Sequence, residues 1–94
     1  MIVGAGWIGL EVAAAARDHD VEVTVLEMAD VPLRKVLGDD LARHLAALHR
    51  SHGVDLRTGV AVEEVLDGPD GPTGVRTADG TIEAAHVLVA IGAV

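Results

Sequence analysis

Apolar residues recur along the first half of the chain in two patterns, short runs that predict buried strands and wider spacings that predict helices. The predicted strands are residues 1–3, 21–26 and 54–58, and the predicted helices are residues 7–19 and a second one beginning at Asp39 or Asp40. A loop is expected over residues 29–36, which include a proline, and Gly53 is the expected stop of the second helix. The residues expected to face the core are Ile8, Val12, Ala13 and Ala16 in the first helix, and Leu41, Leu45 and Leu48 in the second.

The second half of the chain changes to a pattern of short strands and glycine-containing turns. Residues 60–66, 74–77 and 81–84 predict a small antiparallel meander, with turns at residues 67–71 and 79–80, and residues 86–91 predict a further buried strand. The order is β-α-β, then α-β, then the meander and a last strand. We therefore expect one α/β domain over residues 1–94, a Rossmann-like doubly wound parallel sheet with a small antiparallel β-meander insertion.

A glycine-rich turn, Gly4-Ala5-Gly6-Trp7-Ile8-Gly9, lies directly between the first predicted strand and the first predicted helix. In a GxGxxG turn the first glycine permits the tight bend, the second lets the backbone approach a pyrophosphate, and the third lets the helix pack on the strand. The free N–H groups and the positive end of the helix then face the phosphates, so that no lysine or arginine is needed. The alternative is a glycine turn without a ligand, and the acid described next favours dinucleotide binding.

Glu27 ends the second predicted strand about 20 residues beyond the glycine turn, where a dinucleotide-binding unit places an acid for the ribose. A carboxylate there accepts hydrogen bonds from the ribose hydroxyls and repels a 2′-phosphate, so the sequence favours NAD over NADP. The following residues, Met28-Ala29-Asp30, include no arginine that could bind such a phosphate. Arg34 and Lys35 come later; we expect a solvated loop there, with contact to the cofactor as the alternative.

Composition and charge exclude several other classes of function. The chain has 94 residues, a formal net charge of −8 and no cysteine, which disfavours binding to nucleic acid or to an anionic membrane and excludes thiolate chemistry within these residues. The three histidines of the second helix region have no neighbouring acid or cysteine in a metal-binding pattern, and Asp39-Asp40 fit a helix N-cap better than a catalytic pair. We predict no metal site and no catalytic residue. Because no apolar run reaches about 18 residues and no signal peptide is recognisable, we expect a cytoplasmic location.

Four segments, VGAGWIGLEVA, VTVLE, LHRSHGVDL and HVLVAIGA, together resemble the NAD-binding domain of FAD-dependent pyridine-nucleotide (disulfide) oxidoreductases. The greatest similarity is to the ferredoxin reductases of oxygenase and cytochrome P450 systems. The resemblance implies that this domain receives NADH, that FAD is bound by a separate domain, and that electrons pass to a ferredoxin-like iron–sulfur protein. Since only a few residues precede the glycine turn, we expect the chain to be a fragment of a larger flavoprotein, without its FAD and C-terminal interface domains and inactive alone.

The resemblance also assigns roles to individual residues. Glu11 matches a glutamate near the nicotinamide, with a solvated helix residue as the alternative, and Trp7 matches a bulky residue over the flavin, with a structural anchor as the alternative. Gly92 matches a backbone approach to the nicotinamide. The predicted cofactor-binding residues are Gly4, Gly6, Trp7, Ile8, Gly9, Glu11, Glu27, Met28, Ile91 and Gly92.

Several functions remain open from the sequence. The chain could be a stand-alone module that binds NAD or another adenine nucleotide, or the NAD domain of an NADH oxidase, a nitrite reductase or a disulfide reductase. If FAD and interface domains are absent from the chain, the apolar surface that they would cover predicts weak self-association.

Overall fold

The first half of the protein builds a parallel sheet with helices, as the apolar pattern predicts. A computed structural model describes residues 1–90. The helices and strands in chain order are β1 (Ile2–Val3), α1 (Trp7–Asp18), β2 (Thr24–Glu27), α2 (Arg34–Leu37), α3 (Asp39–Ser51), β3 (Asp55–Thr58), β4 (Val62–Gly68), β5 (Gly71–Thr77), β6 (Gly80–Glu83) and β7 (Leu88–Val89). Strands β3, β2, β1 and β7 pair in that order, all parallel, and β4, β5 and β6 form a separate antiparallel sheet.

The period of two along each strand divides the core into two clusters on opposite faces of the parallel sheet. Ile2, Val25 and Leu56 point to one face and pack with residues of α1 and α3. Val3 and Leu26 point to the other face and pack with Val75 of β5 and other apolar residues of the meander. The result is three layers, helices, parallel sheet and meander. The predicted α/β fold class is confirmed, and the antiparallel sheet is the layer that covers the second face.

The buried face of α1 differs from the prediction in two positions. Ala13 is buried and Ala16 packs partly against the core, as expected, but Ile8 and Val12 are exposed. The helix instead meets the sheet through Gly9, Leu10 and Ala13. Gly9 and Ala13 let the helix axis approach the strands closely, Leu10 packs beside them, and Ile8 and Val12 are turned outward.

The same preference for small residues corrects the prediction for α3. Its buried residues are Ala42 and Ala46, whereas Leu41 and Leu48 are exposed and only Leu45 packs partly against the core. The predicted N-cap is also wrong, because Gly38 precedes the helix and no side chain caps it. The predicted stop is confirmed: Gly53 follows the helix at φ +90°, a conformation that glycine adopts without strain.

Two further predictions are corrected near the ends of strands. The expected loop over residues 29–36 contains the start of the short helix α2, which follows Leu33 in the left-handed region at φ +62°. The expected buried run over residues 86–91 is only partly described, and within it β7 is the edge strand with both Leu88 and Val89 exposed. None of the helices described over residues 1–90 has the length and apolar character that a membrane crossing needs.

Candidate dinucleotide-binding site

The glycine turn has the geometry that its spacing predicts. Gly4 lies at φ +107°, where only glycine is unstrained, and its N–H donates to the carbonyl oxygen of Leu26 at 2.7 Å. A Cβ on Gly9 would collide with the carbonyl oxygen of Gly4, so this glycine is required where the helix crosses β1. A Cβ on Gly6 would meet nothing within 4 Å. The turn is therefore packed tightly behind Gly9 and open in front of Gly6.

Helix α1 begins with unsatisfied backbone donors beside that open space. Its first intrahelical hydrogen bond runs from the N–H of Leu10 to the carbonyl oxygen of Gly6 at 3.0 Å, and no side chain caps this end. The first N–H groups of a helix lack partners within it, and together with the helix dipole they attract an anion. An uncapped helix start opposite an open glycine is the arrangement that a diphosphate requires.

Glu27 connects the glycine turn to the end of β2 through both of its carboxylate oxygens. Oε1 accepts a hydrogen bond from the N–H of Ala5 at 2.8 Å, and Oε2 accepts one from the N–H of Ala29 at 2.7 Å. Two backbone donors fix the carboxylate in place. A carboxylate offers about four acceptor positions, so the remaining ones are free to accept two ribose hydroxyls.

A cavity of about 540 Å³ lies along the carboxyl ends of the parallel strands, between the glycine turn and the loops that follow β2 and β3. Its volume lies in the range of small-molecule and cofactor sites. The carboxyl edge of a parallel sheet is also where α/β proteins bind their ligands. The lining residues are Val3, Gly4, Ala5, Gly6, Leu26, Glu27, Met28, Ala29, Pro32, Leu33, Val60, Ala61, Val62 and Ala90.

The structure brings some of the predicted site residues together and leaves others outside the cavity. Gly4, Gly6, Glu27 and Met28 line it, and Gly9 supports the turn from behind. Trp7, Ile8 and Glu11 lie on the exposed side of α1 and do not line the cavity. Ile91 and Gly92 lie outside the described residues, although their neighbour Ala90 is in the cavity wall.

Sequence reasoning missed the part of the wall that comes from loops. Pro32 and Leu33 follow β2, and residues 60–62 follow β3. A signal for them exists, because the carboxyl ends of neighbouring parallel strands meet at one edge and their loops must lie side by side there. The apolar character of these residues leaves the glycine turn and Glu27 as the polar side of the cavity.

The other polar clusters considered in the sequence form hydrogen bonds and ion pairs within the fold. Within residues 1–90 no group of three or more histidines and acids is placed to hold a metal ion. The Nδ1 of His49 lies 3.0 Å from the carbonyl oxygen of Leu45, one turn earlier in α3. Asp39 forms ion pairs with Arg34 at 2.9 Å and Arg43 at 2.7 Å; the hydrogen bond from Arg43 is the main cause that holds the pKa of Asp39 below its ordinary value.

A parallel sheet with a glycine turn at its centre and an acid at the neighbouring strand end defines a Rossmann-type domain. The chain belongs to the pyridine nucleotide-disulphide oxidoreductase family, whose model matches residues 1–94. It is 48% identical over 92 residues to the ferredoxin–NAD(+) reductase component of a p-cumate 2,3-dioxygenase system from Pseudomonas putida, covering 97% of this chain and 22% of that protein. It is 45% identical over 95 residues to the ferredoxin reductase subunit of a 5,5′-dehydrodivanillate O-demethylase from a Sphingobium strain, covering 99% and 23%.

The solved structures agree with this family. The chain superposes on the reductase in a covalent putidaredoxin reductase–putidaredoxin complex with a TM-score of 0.88 and 37% identity, over 97% of this chain and 22% of the other. The chain thus spans between a fifth and a quarter of the length of the relatives it matches. The resemblance found in the sequence is confirmed at the level of the family.

Proposed function

We propose that this chain is the NAD(H)-binding domain of a larger FAD-dependent reductase that passes electrons to a ferredoxin-like acceptor. The observation that carries the proposal is the cavity in which an open glycine turn, an uncapped helix start and the anchored carboxylate of Glu27 meet. The glycine turn is suited to an anion, and Glu27, about 20 residues later, is suited to a diol. These are the two features that bind the pyrophosphate and the ribose of an adenine dinucleotide.

The residues of this chain would bind and orient the cofactor, and the bound NADH would supply the hydride. Gly4 would shape the turn, the backbone N–H groups from Gly6 to Gly9 would hold the pyrophosphate, and Glu27 with Met28 would hold the adenine-side ribose. Glu11, Ile91 and Gly92 would position the nicotinamide end. The space in front of Gly6 fits this cofactor, because a diphosphate needs close access to the backbone.

The FAD, the acceptor and the location belong to the proposal for the whole protein. Two relatives are named ferredoxin reductases, and one solved relative is in a complex with putidaredoxin, which supports a ferredoxin-like partner. Those proteins are more than four times longer than this chain, which supports an FAD-binding domain outside these residues. The apolar side chains of Trp7, Ile8 and Val12 on α1 are exposed and suit packing against such a domain. We place the whole protein in the cytoplasm.

Titration of the 94-residue chain with NADH, followed by the fluorescence of Trp7, tests the proposal. Trp7 is the single tryptophan and the first residue of α1, so it reports directly on the glycine turn. We expect saturable binding, and we expect Glu27→Gln to weaken it about ten-fold, because the amide is neutral and keeps only one of the two oxygens that accept hydrogen bonds.

Glu22→Gln is the matched control, because Glu22 is an exposed acid outside the cavity and its loss changes the net charge equally. Its NADH affinity should equal that of the unmodified chain. An absence of NADH binding, or equal weakening by the two substitutions, would overturn the proposal. A chain that oxidises NADH without an added flavoprotein would contradict the separate location of the FAD.

A further inference from the structure

Arg34, which adjoins the predicted ribose pocket in the sequence, takes part in a series of linked ion pairs, called here the ion-pair chain: Asp30–Arg34–Asp39–Arg43. The guanidinium of Arg34 donates to both oxygens of Asp30, from Nη1 to Oδ1 at 3.0 Å and from Nη2 to Oδ2 at 3.3 Å. Its buried Nε lies 2.9 Å from Oδ1 of Asp39, close enough for an ion pair although not aligned for a hydrogen bond. The second oxygen of Asp39 pairs with Arg43 at 2.7 Å. Every nitrogen of the guanidinium is thus next to a carboxylate.

The backbone places this arginine directly beside the cavity while its side chain is directed elsewhere. Pro32 and Leu33 line the cavity, and Arg34 is the next residue and the first of α2. Asp30 follows Ala29, whose N–H binds Glu27. The Asp30–Arg34 pair therefore bridges the two ends of the loop that forms the ribose side of the wall, yet neither residue lines the cavity.

We infer that Asp30 and Asp39 set the cofactor preference of the site by keeping Arg34 away from the position of a 2′-phosphate. The inference rests on the proposed dinucleotide site and deepens it. Exclusion of NADPH would then have two parts. Glu27 repels a 2′-phosphate, and the nearby guanidinium that could neutralise that phosphate is already neutralised by two acids.

The chemistry of the guanidinium makes this competition direct. An arginine binds a phosphate and a carboxylate with the same planar set of donors, so one excludes the other. A phosphate could recruit Arg34 only by displacing Asp30 and Asp39, and their freed charges would remain beside it. Neutral amides at these two positions would leave the arginine in place, remove the competition and lower the local negative charge.

The test compares the affinities of the chain for NADH and NADPH in matched variants. We expect Asp30→Asn combined with Asp39→Asn to shift the ratio of the NADPH and NADH dissociation constants about ten-fold towards NADPH, with the NADH affinity nearly unchanged. Adding Arg34→Gln to the double variant should remove the shift. Adding Lys35→Gln instead should leave it, since Lys35 is exposed and lies outside the ion-pair chain.

A second double variant removes the same number of negative charges elsewhere. It separates the release of Arg34 from the effect of net charge alone. Asp40→Asn with Asp70→Asn removes two exposed acids outside the ion-pair chain, and the ratio should stay as it is in the unmodified chain. An unchanged ratio in the first double variant, a shift that survives Arg34→Gln, or an equal shift in the control pair would overturn the inference. Those outcomes leave NADH binding intact, whereas a chain that binds neither cofactor would overturn the proposed function itself.

Discussion

Two glycines three residues apart in the same turn serve different purposes. Behind Gly9 the carbonyl of Gly4 leaves no space for a side chain, whereas the front of Gly6 opens on the cavity. We therefore expect the fold to depend on Gly9 and the proposed ligand binding to depend on Gly6. A substitution by alanine at each position separates stability from binding.

Gly9→Ala should destabilise the fold by about 2–3 kcal/mol, because the added methyl group forces α1 away from β1 and over-packs the core. Urea unfolding followed by circular dichroism measures the change. A midpoint within error of the unmodified chain would show that the helix shifts at no cost.

Gly6→Ala should change stability by less than about 1 kcal/mol, since Gly6 has φ −79° in an extended conformation that alanine also adopts. Its affinity for NADH should nevertheless fall, because the methyl group occupies the path by which the backbone approaches the pyrophosphate. The fluorescence titration and the same unfolding experiment, made on one preparation, check both parts. Retained affinity would mean that the diphosphate binds away from Gly6.

Glu27 shows how far a residue could be predicted from spacing. Its distance along the chain from the glycine turn indicates the end of a neighbouring strand, and it lies there in the structure. Its bonds to the N–H groups of Ala5 and Ala29 could not be predicted, because the direction of a loop N–H depends on backbone angles that spacing does not determine. Those bonds stabilise the turn, in addition to the ribose binding that we propose for Glu27.

At the scale of elements, periodicity predicted the existence of α1 and α3 better than their orientation. Each helix has both large and small apolar residues, and an apolar count favours the large ones as the buried face. The contact with the sheet is instead made mostly by small residues, Gly9 and Ala13 beside Leu10 in α1, and Ala42 and Ala46 in α3, which allow close approach of helix and strand. The leucines of α3 then remain at the surface.

Substitutions in α3 test this orientation. Ala46→Leu should cost about 1–3 kcal/mol through over-packing, while Leu48→Gln should stay within about 0.5 kcal/mol, because Leu48 is exposed and Ala46 is buried. Urea unfolding of the two variants gives the comparison. If Leu48→Gln is the more destabilising of the two, the leucine face of α3 is the buried one and the orientation described here is wrong.

The start of α3 should give stability an acid dependence. Arg43 donates a hydrogen bond to Asp39 one turn earlier, which is the main cause of the lowered pKa of Asp39. Because the folded pKa lies below the unfolded one, this contribution is fully present above about pH 4 and is lost as the pH falls through the folded value.

Asp39→Asn should therefore make the unfolding free energy decline less steeply as the pH falls below about 4, and should leave its pH dependence near pH 7 unchanged. Thermal unfolding over that pH range measures the slopes. Asp40→Asn is the control, since Asp40 is in the same first turn and forms none of these ion pairs. Parallel slopes for the unmodified chain and the Asp39 variant would contradict the assignment.

At the scale of the whole molecule, the order of segments predicted the fold class and left the layers open. The β-α-β pattern and the dipeptide turns were sufficient for a parallel sheet with a meander. They did not indicate that the meander would lie on the face opposite the helices, where Val75 packs with Val3 and Leu26. That contact joins residues more than 45 positions apart in the sequence, and no local pattern carries such information.

The surface of the whole chain combines two opposing tendencies. Trp7 and Ile8 are 50% and 68% exposed on one side of α1, near the exposed Val12, which favours contact between copies. The net charge of −8 opposes that contact by mutual repulsion, and salt screens the repulsion at a Debye length of about 8 Å near physiological ionic strength.

We therefore expect weak association that increases with salt, the opposite of what a dimer held by ion pairs would show. Sedimentation velocity at high protein concentration should give an average mass above 9.7 kDa, and Trp7→Ser with Ile8→Ser should return it to the monomer. Val36→Ser with Leu41→Ser is the control, because these exposed apolar residues belong to α2 and α3 and not to α1. A monomer at every salt concentration would contradict the prediction of self-association. If both double variants lose association equally, the contact between copies is not specific to α1, and the prediction is wrong.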